Sequence, residues 1–160
     1  MSKKTKAWIF DIDGTLADTD HRIHYIKPKE GEKKDWGKFF AAAKDDKPFQ
    51  HVLQFNQAIA ENINDEAIVL VTARPENLRK DTEKWLTENG VYWNELFMRP
   101  ANERKADFEV KRDIYREQIK PYYDIRAAFE DRLQVAKMWR EEGVQVFLCG
   151  EDWLNGDWSK

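Results

Sequence analysis

Two carboxylates, Asp11 and Asp13, lie at the end of the first apolar run of the chain. They stand two residues apart on a segment that is predicted to be extended, and because strand side chains alternate, both can point the same way. Carboxylates held together repel one another unless a cation or a shared proton neutralises them. Gly14 follows and permits a turn in which backbone N–H groups approach phosphate oxygens. The pair therefore indicates a site for a cation and a phosphate.

Polar residues also come after the later apolar runs. In chain order these residues are Thr72, Arg74, Lys111, Glu130, Asp131 and Arg132. Ligands of parallel α/β folds bind at the carboxyl ends of the strands, so these side chains are expected to meet at one rim. The acidic members add hard oxygen ligands, which favour Mg²⁺.

The elements that position these residues follow from the hydrophobic pattern, because short apolar runs alternate with segments of helical periodicity. The predicted strands are residues 6–12, 67–71, 95–98, 125–129 and 144–148. The predicted helices are residues 75–89, 107–120 and 131–142, together with one that begins at Pro48 and has its last apolar position at Ile63. Asp107 is expected to cap the helix that it begins. This alternation predicts an α/β fold with a doubly wound, Rossmann-like parallel sheet.

The whole chain of 160 residues is predicted to form one domain, with a cap-like insertion after the first strand at about residues 18–47. That stretch is irregular and rich in charge, and a short helix is expected near Trp36. We expect the insertion to cover the site.

Composition bounds the kind of protein. A hydrophobic fraction of 41% with seven Trp argues against disorder, and a net charge of -3 excludes a basic protein that coats duplex nucleic acid. Residues 67–71 form the longest aliphatic run, far short of the roughly 18–20 apolar residues of a membrane helix, so no membrane span is expected. Residues 7–10 are too short an apolar stretch for a signal peptide. Cys149 is the only cysteine, which suits a reducing cytoplasm.

The chemistry-bearing residues resemble those of the haloacid dehalogenase (HAD) superfamily. The resemblance is carried by the sequence Asp11-Ile12-Asp13-Gly14-Thr15 and by Thr72, Lys111, Glu130 and Asp131. It implies a Mg²⁺-dependent phosphatase in which Asp11 attacks phosphorus and forms an aspartyl-phosphate. Asp13 would protonate the leaving oxygen and then activate the hydrolytic water.

The same resemblance implies the remaining roles. Thr72 and Lys111 would hold phosphoryl oxygens. Mg²⁺ would be held by Asp11, by the backbone carbonyl of Asp13 and by Asp131, with Glu130 beside them. Glu130 stands where relatives more often carry a second Asp, so Asp131 is expected to be the direct ligand.

A closer resemblance is to the 3'-phosphatase domains of bacteriophage polynucleotide kinase/phosphatases. The matching stretches include residues 10–18, 71–74, 97–99, 104–111 and 131–140, with His21-Arg22 and Trp36. By this resemblance Arg22, Arg74 and Arg132 contact phosphate or polynucleotide. Asp107 would orient Lys111, which agrees with their spacing of four residues on one helical face.

The closer resemblance also implies a setting. The expected partners are phosphorylated nucleic-acid ends or nucleotides, and the expected place of action is nucleic-acid repair in a bacterial or phage-infected host cytoplasm. No kinase activity is expected, because Phe39 follows Gly37-Lys38 where a phosphate-binding loop would carry Ser or Thr.

Each candidate residue also has a plain structural interpretation. The Asp11 to Gly14 sequence alone is compatible with a chance turn, although an EF-hand calcium loop would place its Gly at the sixth position. Thr72 is compatible with a helix N-cap, Lys111 with a solvated helix lysine, and Arg22 and Arg132 with surface ion pairs. The side chains of Trp36, Phe39 and Phe40 are suited either to stacking on a nucleobase or to packing the insertion, whereas Trp85 and Trp139 are expected in the core.

The sequence leaves two other functions open. One is a small-molecule nucleotidase or other nucleotide phosphatase of the HAD superfamily, in which the insertion seals over a mononucleotide. The other is a non-catalytic module that binds nucleic-acid ends, against which the intact Asp11, Asp13 and Lys111 argue.

Overall fold

A central sheet of five parallel strands organises the molecule. The computed structural model describes residues 3–151. Its strands are β1 (Thr5–Phe10), β2 (Ala17–Asp18), β3 (Lys47–Pro48), β4 (Glu66–Pro75), β5 (Glu95–Arg99), β6 (Tyr123–Glu130) and β7 (Val146–Leu148). The central sheet has the order β5-β4-β1-β6-β7, with every pair parallel. The chain winds outward from β1 in both directions, so the strand order reverses between β1 and β6.

Helices cover both faces of this sheet. They are α1 (Trp36–Ala41), α2 (Gln50–Asn62), α3 (Arg79–Glu88), α4 (Asp107–Ile114) and α5 (Leu133–Glu141). Helices α2 and α3 contribute to the core on one face, and α4 and α5 contribute to the core on the other. The predicted α/β class with a doubly wound parallel sheet is confirmed. None of the helices within residues 3–151 is both long enough and apolar enough to cross a membrane.

Alternation along β4 shows how one strand serves both cores. Ile68 and Leu70 belong to the cluster with α2 and α3, whereas Val69 and Val71 belong to the cluster with α4 and α5. A strand buried on both faces reads as a continuous apolar run, which is why this one was visible in the sequence. Trp85 and Trp139 are buried in the core, as expected, and they lie on opposite faces of the sheet.

A short antiparallel pair of strands, β2 and β3, forms a neck beside the sheet, in which Ala17 pairs with Pro48 and Asp18 with Lys47. Residues 19–46 leave the domain and return through this neck. They contain α1 and the two 3₁₀ segments Asp20–Tyr25 and Ala42–Asp45. The predicted insertion at residues 18–47 thus coincides with the segment between the two neck strands, and its role as a cap remains a prediction.

Several predicted boundaries are wrong for local physical reasons. The helix predicted from Pro48 begins at Gln50, because Pro48 belongs to β3 and the Phe49 N–H donates to the Leu16 carbonyl at 2.8 Å. Asp107 does not cap α4: the N-cap is Ala106, whose N–H donates to Glu109 at 3.2 Å. The helix predicted over residues 107–120 is α-helical only from Asp107 to Ile114, and it continues as a π-helix over Tyr115–Ile119.

Candidate active site

The loop after β1 brings Asp11 to the point where the strand order reverses. The Asp11 N–H donates to the Phe129 carbonyl of β6 at 3.0 Å, so the loop leaves the sheet directly beside the end of that strand. The N–H groups of Leu16 and Ala17 both donate to the Ile12 carbonyl at 2.9 Å, which closes a tight turn. Asp11 is buried at the base of this turn.

Gly14 is required in the turn for two reasons. Its φ of +82° lies in the left-handed region, which residues with a Cβ rarely adopt. A Cβ at this position would also collide with the Asp131 carboxylate. The loop after β1 and the loop after β6 therefore approach each other more closely than any side chain at position 14 would allow.

The carboxylate cluster consists of Asp11, Glu130 and Asp131, with Lys111 between them. One oxygen of each acid lies within 4.8 Å of the others. The Lys111 Nζ donates to Asp11 Oδ1 and to Glu130 Oε2, both at 2.8 Å, and its side chain is almost fully buried. The alternative of a solvated lysine at position 111 is therefore excluded, because α4 directs the side chain into the site.

Burial and the charges of neighbouring carboxylates shift the pKa values of Asp11 and Asp131 in the same direction. Burial, followed by the nearby charge of Glu130, raises the pKa of Asp11 to about 7, although Lys111 opposes the shift. Burial and then the charges of Asp11 and Glu130 also raise the pKa of Asp131. Three carboxylates thus face one ammonium, and the cluster carries more negative charge than it can balance internally.

This donor set fits a hard divalent cation. Closely spaced carboxylate oxygens with excess negative charge are the usual protein ligands of Mg²⁺. Both Glu130 oxygens already accept hydrogen bonds, Oε2 from Lys111 and Oε1 from the N–H groups of Asp131 and Arg132 at 3.2 and 3.3 Å. Glu130 is therefore occupied in orienting its neighbours, which agrees with Asp131 as the preferred direct ligand.

A second set of charged groups, the arginine network, consists of Asp13, Asp46, Arg22 and Arg74. Asp13 Oδ1 accepts from Arg22 Nη2 and from Arg74 Nη2, each at 2.6 Å. Burial acts to raise the pKa of Asp13, but the charges and hydrogen bonds of Arg74 and then of Arg22 outweigh it and lower this pKa to about 2. Arg22 is fully buried, so the alternative of a surface ion pair at that position is excluded.

Asp46 is the member of this network that the sequence did not reveal. Its side chain is inaccessible to solvent and pairs with Arg22 and Arg74. In the sequence it follows the acidic Asp45 in a charged stretch, and nothing there distinguishes the buried acid from the exposed one. The only sign of its burial is its position at the end of the insertion, directly before the neck strand β3.

The structure excludes the alternative of a helix N-cap for Thr72, and it places Asp107 differently from the expected pairing with Lys111. Thr72 lies inside β4 and not at a helix N-terminus, and its buried Oγ1 accepts from the Arg74 N–H at 3.1 Å. Asp107 accepts from Arg99 Nη2 at 2.6 Å and from Arg132 Nη1. The direct pairing of Asp107 with Lys111 is not found among the described side chains, because Lys111 points to the carboxylate cluster instead.

The remaining candidates lie at the rim. The Arg132 side chain is 53% exposed and is tethered by Asp107. Trp36 is half-exposed and lies near Phe40, whereas Phe39 is buried beneath the guanidinium of Arg22, whose carbon lies 4.1 Å from the ring centroid. Phe39 therefore packs the insertion, and Trp36 is the most exposed of the three aromatic side chains considered for stacking.

The fold and the paired carboxylates at its reversal point define a hydrolase of the HAD-like class. The same fold is found in a class C acid phosphatase from Bacillus anthracis with tungstate bound, which superposes with a TM-score of 0.67 at 15% identity over 99% of this chain and 75% of that one. At this level of identity the likeness concerns the fold alone.

The sequence profile of the polynucleotide kinase PNKP phosphatase domain matches residues 5–152. The chain belongs to this family of phosphatase domains and is a phosphomonoesterase. Because the match spans nearly the whole chain, the Asp11 loop, the Lys111 helix and the Asp131 loop all lie inside it.

Two further relatives carry related names. The chain is 26% identical over 154 residues to a putative bifunctional polynucleotide kinase/RNA ligase of Autographa californica nuclear polyhedrosis virus. The aligned region covers 95% of this chain and 20% of that protein. A chain in the structure of a Pnkp1/Rnl/Hen1 complex superposes with a TM-score of 0.77 at 25% identity, over 92% of this chain and 47% of that one. The chain thus spans between a fifth and about half of the length of these relatives.

Proposed function

We propose that this chain is a Mg²⁺-dependent polynucleotide 3'-phosphatase that acts through an aspartyl-phosphate on Asp11. The observation that carries the proposal is the position of Asp11, a buried carboxylate held by Lys111 beside Asp131 and two residues before Asp13. Membership of the polynucleotide kinase phosphatase family supports nucleic-acid ends as the substrate. The names of the viral relative and of the Pnkp1 complex support the same substrate class.

Asp11 is the proposed nucleophile. Its carboxylate oxygen forms a bond to phosphorus while the bond between phosphorus and the leaving oxygen breaks. Lys111 donates a hydrogen bond to Oδ1, which fixes the orientation of the carboxylate and places a positive charge beside the incoming phosphoryl group. Thr72, at the neighbouring strand end, is proposed to hold a phosphoryl oxygen with Lys111.

Asp13 is the proposed acid and base. It gives a proton to the leaving alkoxide, and it later takes a proton from the water that attacks phosphorus and releases inorganic phosphate from Asp11. The contacts of Asp13 with Arg22 and Arg74 keep its pKa near 2, so it is ionised in the free protein. A substrate phosphate beside Arg74 would add negative charge next to Asp13, and this charge raises the pKa of Asp13 towards the range needed for an acid while both arginines keep it oriented.

The carboxylate cluster is the proposed Mg²⁺ site. Asp11 and Asp131 would hold the ion, with the Asp13 backbone carbonyl, and Glu130 would orient Asp131 and Lys111. When bound, the ion supplies positive charge that offsets the repulsion between the acids and a phosphate dianion. Thr15 supports this arrangement by donating to Asp131 Oδ1 at 3.3 Å.

The path of the substrate is proposed to lie between the insertion and α3. A cleft of about 640 Å³ opens there, lined by Phe40 and Lys44 on one side, by Leu78 and Lys84 on the other, and also by Arg74. Since Arg74 also contacts Asp13, the cleft leads to the proposed acid. Arg132 would contact the polynucleotide from the opposite rim, and the place of action is proposed to be the cytoplasm.

The size of the cleft also suits a mononucleotide, so a nucleotidase is the second candidate. A substrate panel with Mg²⁺ separates the two functions. A 3'-phosphorylated oligonucleotide, a 5'-phosphorylated oligonucleotide and the free nucleoside 3'- and 5'-monophosphates would be compared by the release of inorganic phosphate. We expect the highest kcat/KM for the 3'-phosphorylated oligonucleotide. A preference for free monophosphates would favour the nucleotidase and overturn the proposed substrate.

The panel needs matched variants. Asp11→Asn is expected to abolish release from every substrate, because an amide cannot act as the nucleophile. Asp124→Asn removes an exposed acid from the opposite end of β6 and is expected to leave all rates unchanged. Near-normal turnover by Asp11→Asn would contradict the mechanism whichever substrate is preferred.

A further inference from the structure

We propose that Asp46 is a positioning residue of the phosphatase site, which holds the guanidiniums of Arg22 and Arg74 against Asp13. The proposal rests on the proposed role of Asp13 in the reaction. Asp46 lies 33 positions beyond Asp13 in the sequence, at the far end of the insertion, and none of its side-chain atoms reaches solvent. It touches neither Asp11 nor the carboxylate cluster through any described hydrogen bond, so its action on the reaction passes through the two arginines.

Arg22 is held by Asp46 in a two-point contact. Arg22 Nε donates to Asp46 Oδ1 at 2.7 Å, and Arg22 Nη2 donates to Asp46 Oδ2 at 2.6 Å. The same Nη2 donates to Asp13 Oδ1 at 2.6 Å. Because a two-point contact fixes the plane of a guanidinium, Asp46 determines where Arg22 meets Asp13.

Arg74 closes the network from the sheet side. Its Nη2 lies 3.3 Å from Asp46 Oδ2 and 2.6 Å from Asp13 Oδ1, while its Nε donates to Asp13 Oδ2 at 3.0 Å. Each arginine therefore bridges the same two carboxylates. Asp13 is oriented by donors whose own positions depend on Asp46.

Asp46 is itself fixed by its surroundings. Its backbone carbonyl accepts from Trp85 Nε1 of α3 at 2.9 Å, and its N–H donates to the Ala43 carbonyl at 3.2 Å. His21 Nε2 lies 2.8 Å from Asp46 Oδ1. A carboxylate anchored to both the insertion and α3 is a rigid support for the two arginines.

Two buried guanidiniums need two carboxylates. Without the charge of Asp46, Arg22 loses its two-point contact, and both arginines are left with Asp13 as their shared acidic partner in this network. They would then reorient around Asp13, and its carboxylate would no longer face the leaving oxygen in the correct geometry. Such misplacement affects proton transfer to the leaving group more than the attack by Asp11.

The test compares two phosphate esters that differ in their need for an acid. A 3'-phosphorylated oligonucleotide has an alkoxide leaving group that must be protonated, whereas p-nitrophenyl phosphate releases a stable phenolate. For Asp46→Asn we expect kcat/KM to fall about ten- to a hundredfold with the oligonucleotide and less than about threefold with the aryl ester. The comparison uses kcat/KM because this quantity reports the steps up to departure of the leaving group.

The matched control is Asp124→Asn, which removes an exposed acid at the opposite end of β6 and should change neither rate. A loss that is equal for both esters in a folded Asp46→Asn variant would show a merely structural role and overturn the proposal, as would unchanged rates. Far-ultraviolet circular dichroism and thermal unfolding establish whether the variant is folded.

If Asp46→Asn fails to fold, Trp85→Phe gives the answer. This variant keeps both carboxylates and an aromatic ring but removes the donor to the Asp46 carbonyl, and it should show the same selective loss at a smaller size, about threefold or more. Equal losses on both esters would again overturn the proposal. If the unchanged protein hydrolyses nucleoside monophosphates but not oligonucleotides, the proposal of a polynucleotide substrate is wrong. A nucleoside monophosphate then replaces the oligonucleotide as the ester with an alkoxide leaving group, and the role of Asp46 is tested in the same way.

Discussion

The carboxylate cluster and the arginine network lie side by side but balance their charges in opposite ways. In the cluster three acids face Lys111, and the pKa values of Asp11 and Asp131 are raised. In the network two acids face two guanidiniums, and the pKa of Asp13 is lowered. The first arrangement would need a cation from outside to balance its charge, whereas the second is neutral by itself. Two aspartates separated by one residue are thereby prepared for different tasks.

The largest expected effect on activity comes from removing one acid from the carboxylate cluster or one from the arginine network. Asp11→Asn and Asp13→Asn should both lower kcat with a 3'-phosphorylated oligonucleotide, the first below detection and the second by about 10²–10⁴-fold. Their effects on stability should differ in sign. Asp11→Asn relieves repulsion and should leave the free energy of unfolding at pH 8 unchanged or higher, whereas Asp13→Asn removes an acceptor of two guanidiniums and should lower it by about 1–3 kcal/mol.

Urea unfolding at pH 8 measures this difference, with Asp124→Asn as the neutral control. Equal destabilisation by the two variants would contradict the contrast between the two regions.

Magnesium should act on the carboxylate cluster, and its effect should grow with pH. The ion competes with protons for Asp11, whose pKa is raised to about 7, so binding strengthens as the pH rises through that value. At a concentration of about 100 times Kd the ion should add about 2.7 kcal/mol to the free energy of unfolding. Thermal unfolding at pH 6 and pH 8, with and without Mg²⁺, should show the larger increase in Tm at pH 8.

The matched variants for this measurement are Asp131→Asn, which should lose most of the increase, and Asp124→Asn, which should keep it. An increase of the same size in both variants would place the ion elsewhere on the protein.

The smallest expected effect concerns the arginine network at low pH. The folded pKa of Asp13, about 2, lies below its ordinary value of 3.8, so its contribution to stability is complete above about pH 4 and is lost as the pH falls towards 2. The destabilisation caused by Asp13→Asn should therefore shrink by about 1 kcal/mol between pH 5 and pH 3. Urea unfolding of both proteins at the two pH values tests this. A difference that stays constant would mean that Asp13 is not held ionised by the arginines.

The sequence predicted the carboxylate cluster better than the arginine network, and the reason is physical. Asp11, Lys111 and Asp131 follow strands or lie on a helix whose apolar patterns are clear, so their meeting point follows from the topology of a parallel sheet. The pairing of Arg22 with Asp46 depends instead on how an irregular segment folds back through its neck. No periodicity reports that path, and burial decides which of two adjacent acids, Asp45 or Asp46, faces inward.

The errors in predicting the end of β4 and the contacts of Asp107 also arise because tertiary contacts leave no periodic pattern in the sequence. The strand at residues 67–71 was visible because it is buried on both faces, but its extension to Pro75 as β4 was not, since Thr72 and Arg74 are polar. The extension is held by β5, because Pro75 pairs with Arg99 and Arg99 Nε donates to the Ala73 carbonyl at 3.0 Å. Similarly, the spacing of Asp107 and Lys111 correctly suggested one helix, but the contacts with Arg99 and Arg132 decided where Asp107 points.

The neck formed by β2 and β3 is the one place where the described insertion joins the domain, which would allow it to be exchanged as a unit. Everything between Ala17 and Pro48 enters and leaves the domain at one point, so a different segment can replace it without disturbing the central sheet. Such an exchange would remove Arg22 and Asp46 together, one base and one acid, and would leave Asp13 paired with Arg74. Asp13 and Arg74 would still neutralise each other, so neither buried charge would lose its partner. Trading this segment would therefore leave Asp11, Lys111 and Asp131 in place, but Asp13 would lose the support of Arg22 and Asp46.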